Sequence, residues 1–301
     1  MWAITLALVA SAQAFEATAG CDGHLARARE AYERRNYEQA RAGFSAALTA
    51  CGLQPQILLA LAQAQLLSRD VTAALITLDR LDKVGPSSVT AMKVRAKALY
   101  LASRDREAEE TLLAAAGQAP GDAEIPYDLG RIYYQQQRHQ DAQRAFRQAI
   151  AVDARAYKAW DNLGLVSEAL GDSEGAARLY ARAMAIAQTD APAYDGVYAN
   201  YADLLLKEGD HQRAFDAAAE AAQRNPRDAR NFLLAGKALL KLKAVEVSVK
   251  WLSQAVALDP DLPEPHYLLA RAYRQLGQAE QAQTAMTAFQ QAASRAPTAR
   301  R

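Results

Sequence analysis

The residues in this chain with chemical reach are few: four histidines, two cysteines and scattered paired acids. The sequence holds no HExxH or CxxC for a metal, no GxSxG for a nucleophilic serine, and no GxxxxGK[ST] or GxGxxG loop to cradle a phosphate. His24, His139, His211 and His266 are spread along the chain and read as packing and surface residues rather than metal ligands. The neighbouring acids Glu109 and Glu110 read as a solvated helix face. No catalytic residue, metal site or cofactor is therefore expected. Cys21 and Cys51 remain, and an even cysteine count in an exported protein suggests a disulfide.

The elements carrying these residues are helices. Ala supplies 70 of the 301 residues, against 15 Gly and 10 Pro. Ala is the best helix former, whereas sheets favour β-branched and aromatic side chains. This composition excludes an all-β domain and disfavours a Rossmann-like sheet. Lys plus Arg number 35 and Asp plus Glu 34, a net charge of +1. A nucleic-acid partner would require a clear basic excess, so none is expected.

Residues 1–14, MWAITLALVASAQA, carry no charged side chain, and an apolar stretch runs from Trp2 to Ala10 before Ala12-Gln13-Ala14. That stretch falls short of the roughly twenty residues a membrane span needs, and small-x-small is a signal-peptidase pattern. A cleaved leader over 1–14 is expected, followed by a linker over 15–20, which places the protein in the periplasm or outside the cell. An uncleaved leader would leave it in the cytoplasm. No other stretch reads as transmembrane. Lipidation of Cys21 is the weaker alternative, because Thr18-Ala19-Gly20 lacks the aliphatic residue of a lipobox.

A period of 34 organises the rest. Stepping from Gly164 gives Gly130, Ala96, Ala62 and Ala28 upstream and, after four extra residues near Pro192, Ala202, Gly236 and Ala270 downstream. Twelve residues further on, a second small slot holds Ala40, Ala74, Ala108, Ala142, Ala176, Ala214, Ser248 and Ala282. Seven Ala in eight fixed slots has a chance of about two in ten thousand, even in so Ala-rich a chain. Four residues beyond, the slot holds Phe44, Leu78, Leu112, Phe146, Tyr180, Leu252 and Met286, with Ala218 the exception.

With Trp160, Leu163 and Gly164 in one unit, Leu129, Gly130 and Tyr133 in the unit before, and closing Pro86, Pro120, Pro226 and Pro260, the chain resembles the tetratricopeptide repeat (TPR) family. The expected units are 21–54, 55–88, 89–122, 123–156, 157–190, 195–228, 229–262 and 263–296, with a basic tail over 297–301. The resemblance implies an all-α solenoid of helical hairpins in a right-handed superhelix. Small residues sit where paired helices cross, Gly171 and Gly209 end first helices, and Asp caps second ones. His24 and Arg27 mark an atypical first unit, and Arg95 stands where the pattern wants Leu, with no reason visible in the sequence. In this register Cys21 opens one helix and Cys51 follows its antiparallel partner, so a bridge between them is natural, with two reduced thiols as the alternative.

A solenoid's usable feature is its inner wall, lined mainly by first helices. By analogy with the family, the inward slots hold Lys93, Lys97, Tyr127, Arg131, Lys158, Asn162, Asn200, Asp203, Arg230, Lys237 and Lys241. Asn162 and Asn200 share a slot, and a side-chain amide both donates to and accepts from a peptide bond. Lys93 and Lys97 make the lining look basic, favouring an acidic segment or a terminal carboxylate. The carboxylate clamp of co-chaperone members is nonetheless broken, since Lys97 and Asp128 stand where its two Asn belong. The expected function is a non-catalytic scaffold of the bacterial envelope that holds an extended peptide or partner subunit in the groove. The alternative is an accessory or assembly subunit of an envelope enzyme or secretion complex, docking through its ends or convex face. Met286 and Phe289 on the last helix hint at self-association there.

Overall fold

The computed structural model describes residues 20–295. The expected leader over 1–14, the linker up to residue 19 and the tail over 297–301 lie outside the described residues. Among the described residues the chain forms sixteen helices and no strand. It divides into two compact units, with the boundary between Gln136 and Gln137. The first holds α1 (20–33), α2 (Tyr37–Cys51), α3 (Pro55–Leu67), α4 (Val71–Asp82), α5 (Val89–Leu101), α6 (Asp105–Gln118) and α7 (Glu124–Gln135). The second holds α8 (His139–Val152), α9 (Tyr157–Ala169), α10 (Ser173–Asp190), α11 (Gly196–Glu208) and α12 (His211–Arg224). It ends with α13 (Ala229–Lys241), α14 (Val245–Leu258), α15 (Pro263–Gln275) and α16 (Ala279–Arg295). Within each unit every helix packs on the next, and alternate helices also touch: α3 with α5, α5 with α7, and likewise through α9, α11, α13 and α15.

The turns between paired helices repeat one backbone device. Arg35, Arg69, Ser103, Gln137, Gly171, Gly209, Lys243 and Gly277 occupy the same repeat slot, and all have positive φ between 58° and 83°. Glycine adopts this left-handed conformation freely, whereas other residues lose roughly 1 kcal/mol. The glycine rule visible in the sequence thus accounts for three turns, and packing enforces the conformation in five. The next residue starts the second helix. Asn36, Asp70, Asp172 and Asp210 each accept a hydrogen bond from the backbone N–H three residues on. Such a cap is worth about 1 kcal/mol. Pro120, Pro226 and Pro260 follow two residues after α6, α12 and α14 and forbid their continuation.

Small residues do permit close crossing. A Cβ on Gly164 of α9 would lie 2.5 Å from Cε1 of Tyr180 on α10, and one on Gly236 of α13 would lie 2.6 Å from Leu252 on α14. Gly43 similarly faces Ala28, whose Cβ is 2.8 Å from where a Gly43 Cβ would sit. The buried core of the first unit runs through Ala28, Phe44, Leu58, Leu61 and Leu78. That of the second runs through Tyr180, Val197, Ala202, Leu252 and Leu268. Cys21 and Cys51 are joined by a disulfide that ties the start of α1 to the end of α2.

Two sequence puzzles find their physical reason here. Arg95 reaches back across the hairpin interface to α4, donating to Asp79 and Asp82, each at 2.7 Å. An ion-paired fork fills the place of the family's Leu. The four extra residues near Pro192 are pinned rather than slack. Arg155 pairs with Asp190, Arg224 donates to the Pro192 carbonyl at 2.8 Å, and the Tyr194 hydroxyl donates to Asp161 on α9.

Candidate functional site

In the first unit, helical spacing places Gln56, Ala60, Gln63 and Leu67 on one face of α3, and Lys93, Lys97 and Leu101 on one face of α5. Tyr127 and Arg131 lie on α7, and Lys97 and Arg131 border one crevice with Tyr100. Lys93 donates to Asp122 and Glu124, both at 2.7 Å, and Lys97 pairs with Glu124 and lies 3.9 Å from Asp128. The Arg131 guanidinium sits 5.1 Å over the Tyr100 ring, 6.0 Å from that of Tyr127 and 3.7 Å from Asp128. Burial pushes the Glu124 carboxyl up, but hydrogen bonds from Lys93 and Lys97 outweigh it and hold the group at about 2. Burial likewise opposes charge on Lys93, and its bonds to Asp122 and Glu124 still raise its pKa. Asp128 is raised by burial, which Lys97 only partly offsets.

This corrects the expected basic lining. The cations Lys93 and Lys97 are spent on acids of the following hairpin, so no unpaired basic stripe awaits an acidic segment or a terminal carboxylate there. These pairs link α5 to the start of the following hairpin.

The second unit revises the asparagine pair in a similar way. Asn200 is 8% exposed, donates to Asp161 at 2.9 Å and accepts from Arg230 at 3.0 Å. Both ends of its amide are engaged inside the protein. Asn162 donates to the Lys158 carbonyl at 2.8 Å. The two asparagines share a slot but do not form a free ladder, because the inserted Tyr194 recruits Asp161, and Asp161 in turn draws in Asn200. Burial raises the Asp161 pKa, partly countered by the bonds from Tyr194 and Asn200. Asp203 pairs with Lys207 at 2.8 Å and Lys237 with Glu264 at 2.8 Å. The Lys158 ammonium lies 5.8 Å from the Tyr157 ring, and Lys241 forms no ion pair among the described residues.

Sequence reasoning missed a notch at the other end of the chain. Leu25 and Tyr32 of α1, Phe44 of α2, and Ile57 and Ala60 of α3 enclose a cavity of about 230 Å³. Arg29, Glu33, Gln56 and Gln63 stand around it. These residues were within reach of the repeat register, since Leu25, Arg29 and Glu33 occupy the inward slots of the first unit and Gln56, Ala60 and Gln63 those of the second. The register identifies a face but carries no information about a gap between two helices. Among the described residues no group of three or more His, Cys, Asp or Glu side chains gathers to hold a metal. No described helix is long and apolar enough to cross a membrane.

Stacked helical hairpins with polar first-helix faces define a helical-repeat protein of the interaction-scaffold class. Sequence models of the tetratricopeptide repeat match residues 25–83, 127–192 and 263–298, and a further TPR repeat model matches 236–277. The chain belongs to the tetratricopeptide repeat family. No curated protein is significantly similar to it in sequence. Among solved structures it is similar to the APC/C hetero-tetramer Cut9–Hcn1, at 16% identity and a TM-score of 0.65 over 83% of this chain. It spans 55% of the length of that relative. A tetratricopeptide repeat protein from Parabacteroides merdae gives 17% identity and a TM-score of 0.63, covering 89% of this chain and 99% of its own. YrrB, described as a TPR protein with an unusual peptide-binding site, gives 14% identity and a TM-score of 0.50 over 62% of this chain and 95% of its own. At these identities the likeness is one of fold.

Proposed function

We propose that this protein is an exported, non-catalytic scaffold that holds an extended segment of a partner protein along the first-helix face of its first unit. One observation carries the reading. Leu67 and Leu101 close α3 and α5 in the same repeat slot and are 46% and 58% exposed. Two large aliphatic side chains repeated at one register, beside charges already neutralised from within, favour an apolar partner strip over an acidic one. The peptide-binding site named for YrrB makes the mode familiar for the fold. Export, to the periplasm or beyond, is supported by the apolar segment and small-x-small pattern of residues 1–14 and by the Cys21–Cys51 disulfide, a bond that persists in oxidising compartments.

A second reading, assembly through the second-helix face or an end, is favoured by other exposed side chains. Ile76 and Leu113 on second helices are 57% and 52% exposed, and Tyr267 near the last hairpin is 40% exposed with its ring 5.5 Å from Phe289. Ile76 and Leu113 fall in different repeat slots, so they form no ladder. Photocrosslinking residues placed singly at Leu67, Leu101, Leu113 and Tyr267 separate the two readings in intact cells. The proposed function expects one shared adduct from positions 67 and 101. An adduct confined to 113 or 267 overturns it in favour of docking elsewhere.

A further inference from the structure

The notch between α1 and α3 is built differently from the rest of the first-helix face. Its floor is apolar, made by Leu25, Tyr32, Ile57 and Ala60 above the buried Phe44. At about 230 Å³ it lies below the roughly 300–1,000 Å³ of small-molecule sites and suits a single large side chain. Its rim is polar: Gln54 donates to the Cys51 carbonyl at 3.3 Å, and the four other rim side chains, unlike the lysine pairs further along, have no internal partners. Arg29 and Glu33, one turn apart on α1, form no ion pair or hydrogen bond among the described residues, and neither do the amides of Gln56 and Gln63 on α3. The disulfide anchors α1 at Cys21, one turn before Leu25, so this wall of the notch is held in place.

Resting on the function proposed above, we infer that the notch is the anchoring pocket for the partner segment. It takes one aromatic or large aliphatic side chain of an extended peptide, flanked on one side by an acidic residue and on the other by a basic one. The floor excludes water from the anchor side chain. The unengaged amides of Gln56 and Gln63 both donate and accept, as a peptide bond requires. Arg29 and Glu33 present opposite charges one helical turn apart, complementary to an acid and a base on either side of the anchor. The α3 face then continues from Gln63 to Leu67, so the bound segment leads from the notch onto the leucine ladder.

The test uses the full chain and fluorescein-labelled peptides read by anisotropy. The probes are Gly-Ser-Glu-Gly-Phe-Gly-Lys-Gly-Ser, the same peptide with Glu and Lys exchanged, and both with Ala replacing Phe. The Phe peptides are expected to bind at least tenfold more tightly than their Ala counterparts, with one charge order preferred. Ala60→Phe fills the floor and should remove the advantage of Phe. Arg29→Glu, on an exposed position that leaves folding intact, should abolish or invert the preference for charge order. Equal binding of Phe and Ala peptides overturns the inference, as does Phe-peptide binding that neither substitution alters. The latter leaves the wider scaffold reading standing. Failure of every peptide to bind also overturns the notch assignment, while the crosslinking at positions 67 and 101 judges the scaffold reading independently of these probes.

Discussion

Substituting Gly164 by Ala sets two effects of known sign against each other. In an open helix the change should stabilise by about 1 kcal/mol, because Ala loses less backbone freedom. At position 164 the new Cβ would meet Cε1, Cδ1 and Cζ of Tyr180 at 2.5, 2.7 and 3.0 Å. The ring must retreat by about an ångström to reach ordinary contact. It has little room, being 0% exposed, with its hydroxyl donating to Glu168 and the Tyr201 ring centred 6.3 Å away. Overpacking of this kind costs about 1–3 kcal/mol, so the net expectation is a loss of about 1 kcal/mol. Gly117 of α6 is the control, since a Cβ there meets nothing within 4 Å. Gly117→Ala should gain roughly 0.5–1 kcal/mol, separating the two variants by about 2 kcal/mol. Hydrogen exchange of α9 and α10 amides, with denaturant titration alongside, reads both: exchange in α9 should quicken several-fold in Gly164→Ala. Adding Tyr180→Phe frees the ring from Glu168 and should restore part of the loss. A Gly164→Ala protein as stable as Gly117→Ala would refute the idea that the crossing requires a residue without a side chain.

Reducing the Cys21–Cys51 bond, which closes a separation of 30 residues, should cost the first hairpin about 3–4 kcal/mol on the chain-entropy account. In a repeat array the loss stays near its origin, so α1 and α2 amides should exchange faster on reduction while α13 to α16 amides do not change. Acid should act with opposite signs at two carboxylates. Glu124 is held at about 2 in the folded chain against an ordinary 4.5, so its contribution is complete above pH 4.5 and is lost as pH falls towards 2. Glu124→Gln should remove that acid-sensitive component from the exchange of α5 and α7 amides. Asp161 is raised above its ordinary 3.8, so the folded state binds its proton more tightly and this group's contribution improves as pH falls through its folded pKa towards 3.8. Tyr194→Phe removes a hydrogen bond to the charged form and should move the carboxyl resonance midpoint of Asp161 higher still, as followed by carbon NMR.

The fold was legible because a 34-residue period repeats a local requirement: Gly or Ala where backbones cross, and a large side chain four residues past the second small slot. Gly164 with Tyr180 and Gly236 with Leu252 show that requirement met as contact. The candidate face was legible as a register and misjudged as chemistry. Lys93, Lys97 and Lys237 stand in inward slots, yet Glu124 and Glu264, about thirty residues later, neutralise them. Glu124 and Glu264 themselves stand in the inward slot that holds Lys158 and Arg230 in other units, so the acids were legible too; which charges meet depends on how neighbouring hairpins stack.

The amino-acid sequence by itself determined the all-α class and the hairpin repeat and made a Cys21–Cys51 bridge natural, because each depends on interactions within one repeat length. Tertiary structure alone decided which polar groups remain available. Five non-glycine residues adopt left-handed turns, Arg95 reaches Asp79 and Asp82, and an inserted Tyr194 draws Asp161 and Asn200 into a buried network. The notch between α1 and α3 belongs with these. Burial and charge pairing are properties of neighbouring hairpins in space, and a linear period describes each hairpin without its neighbour.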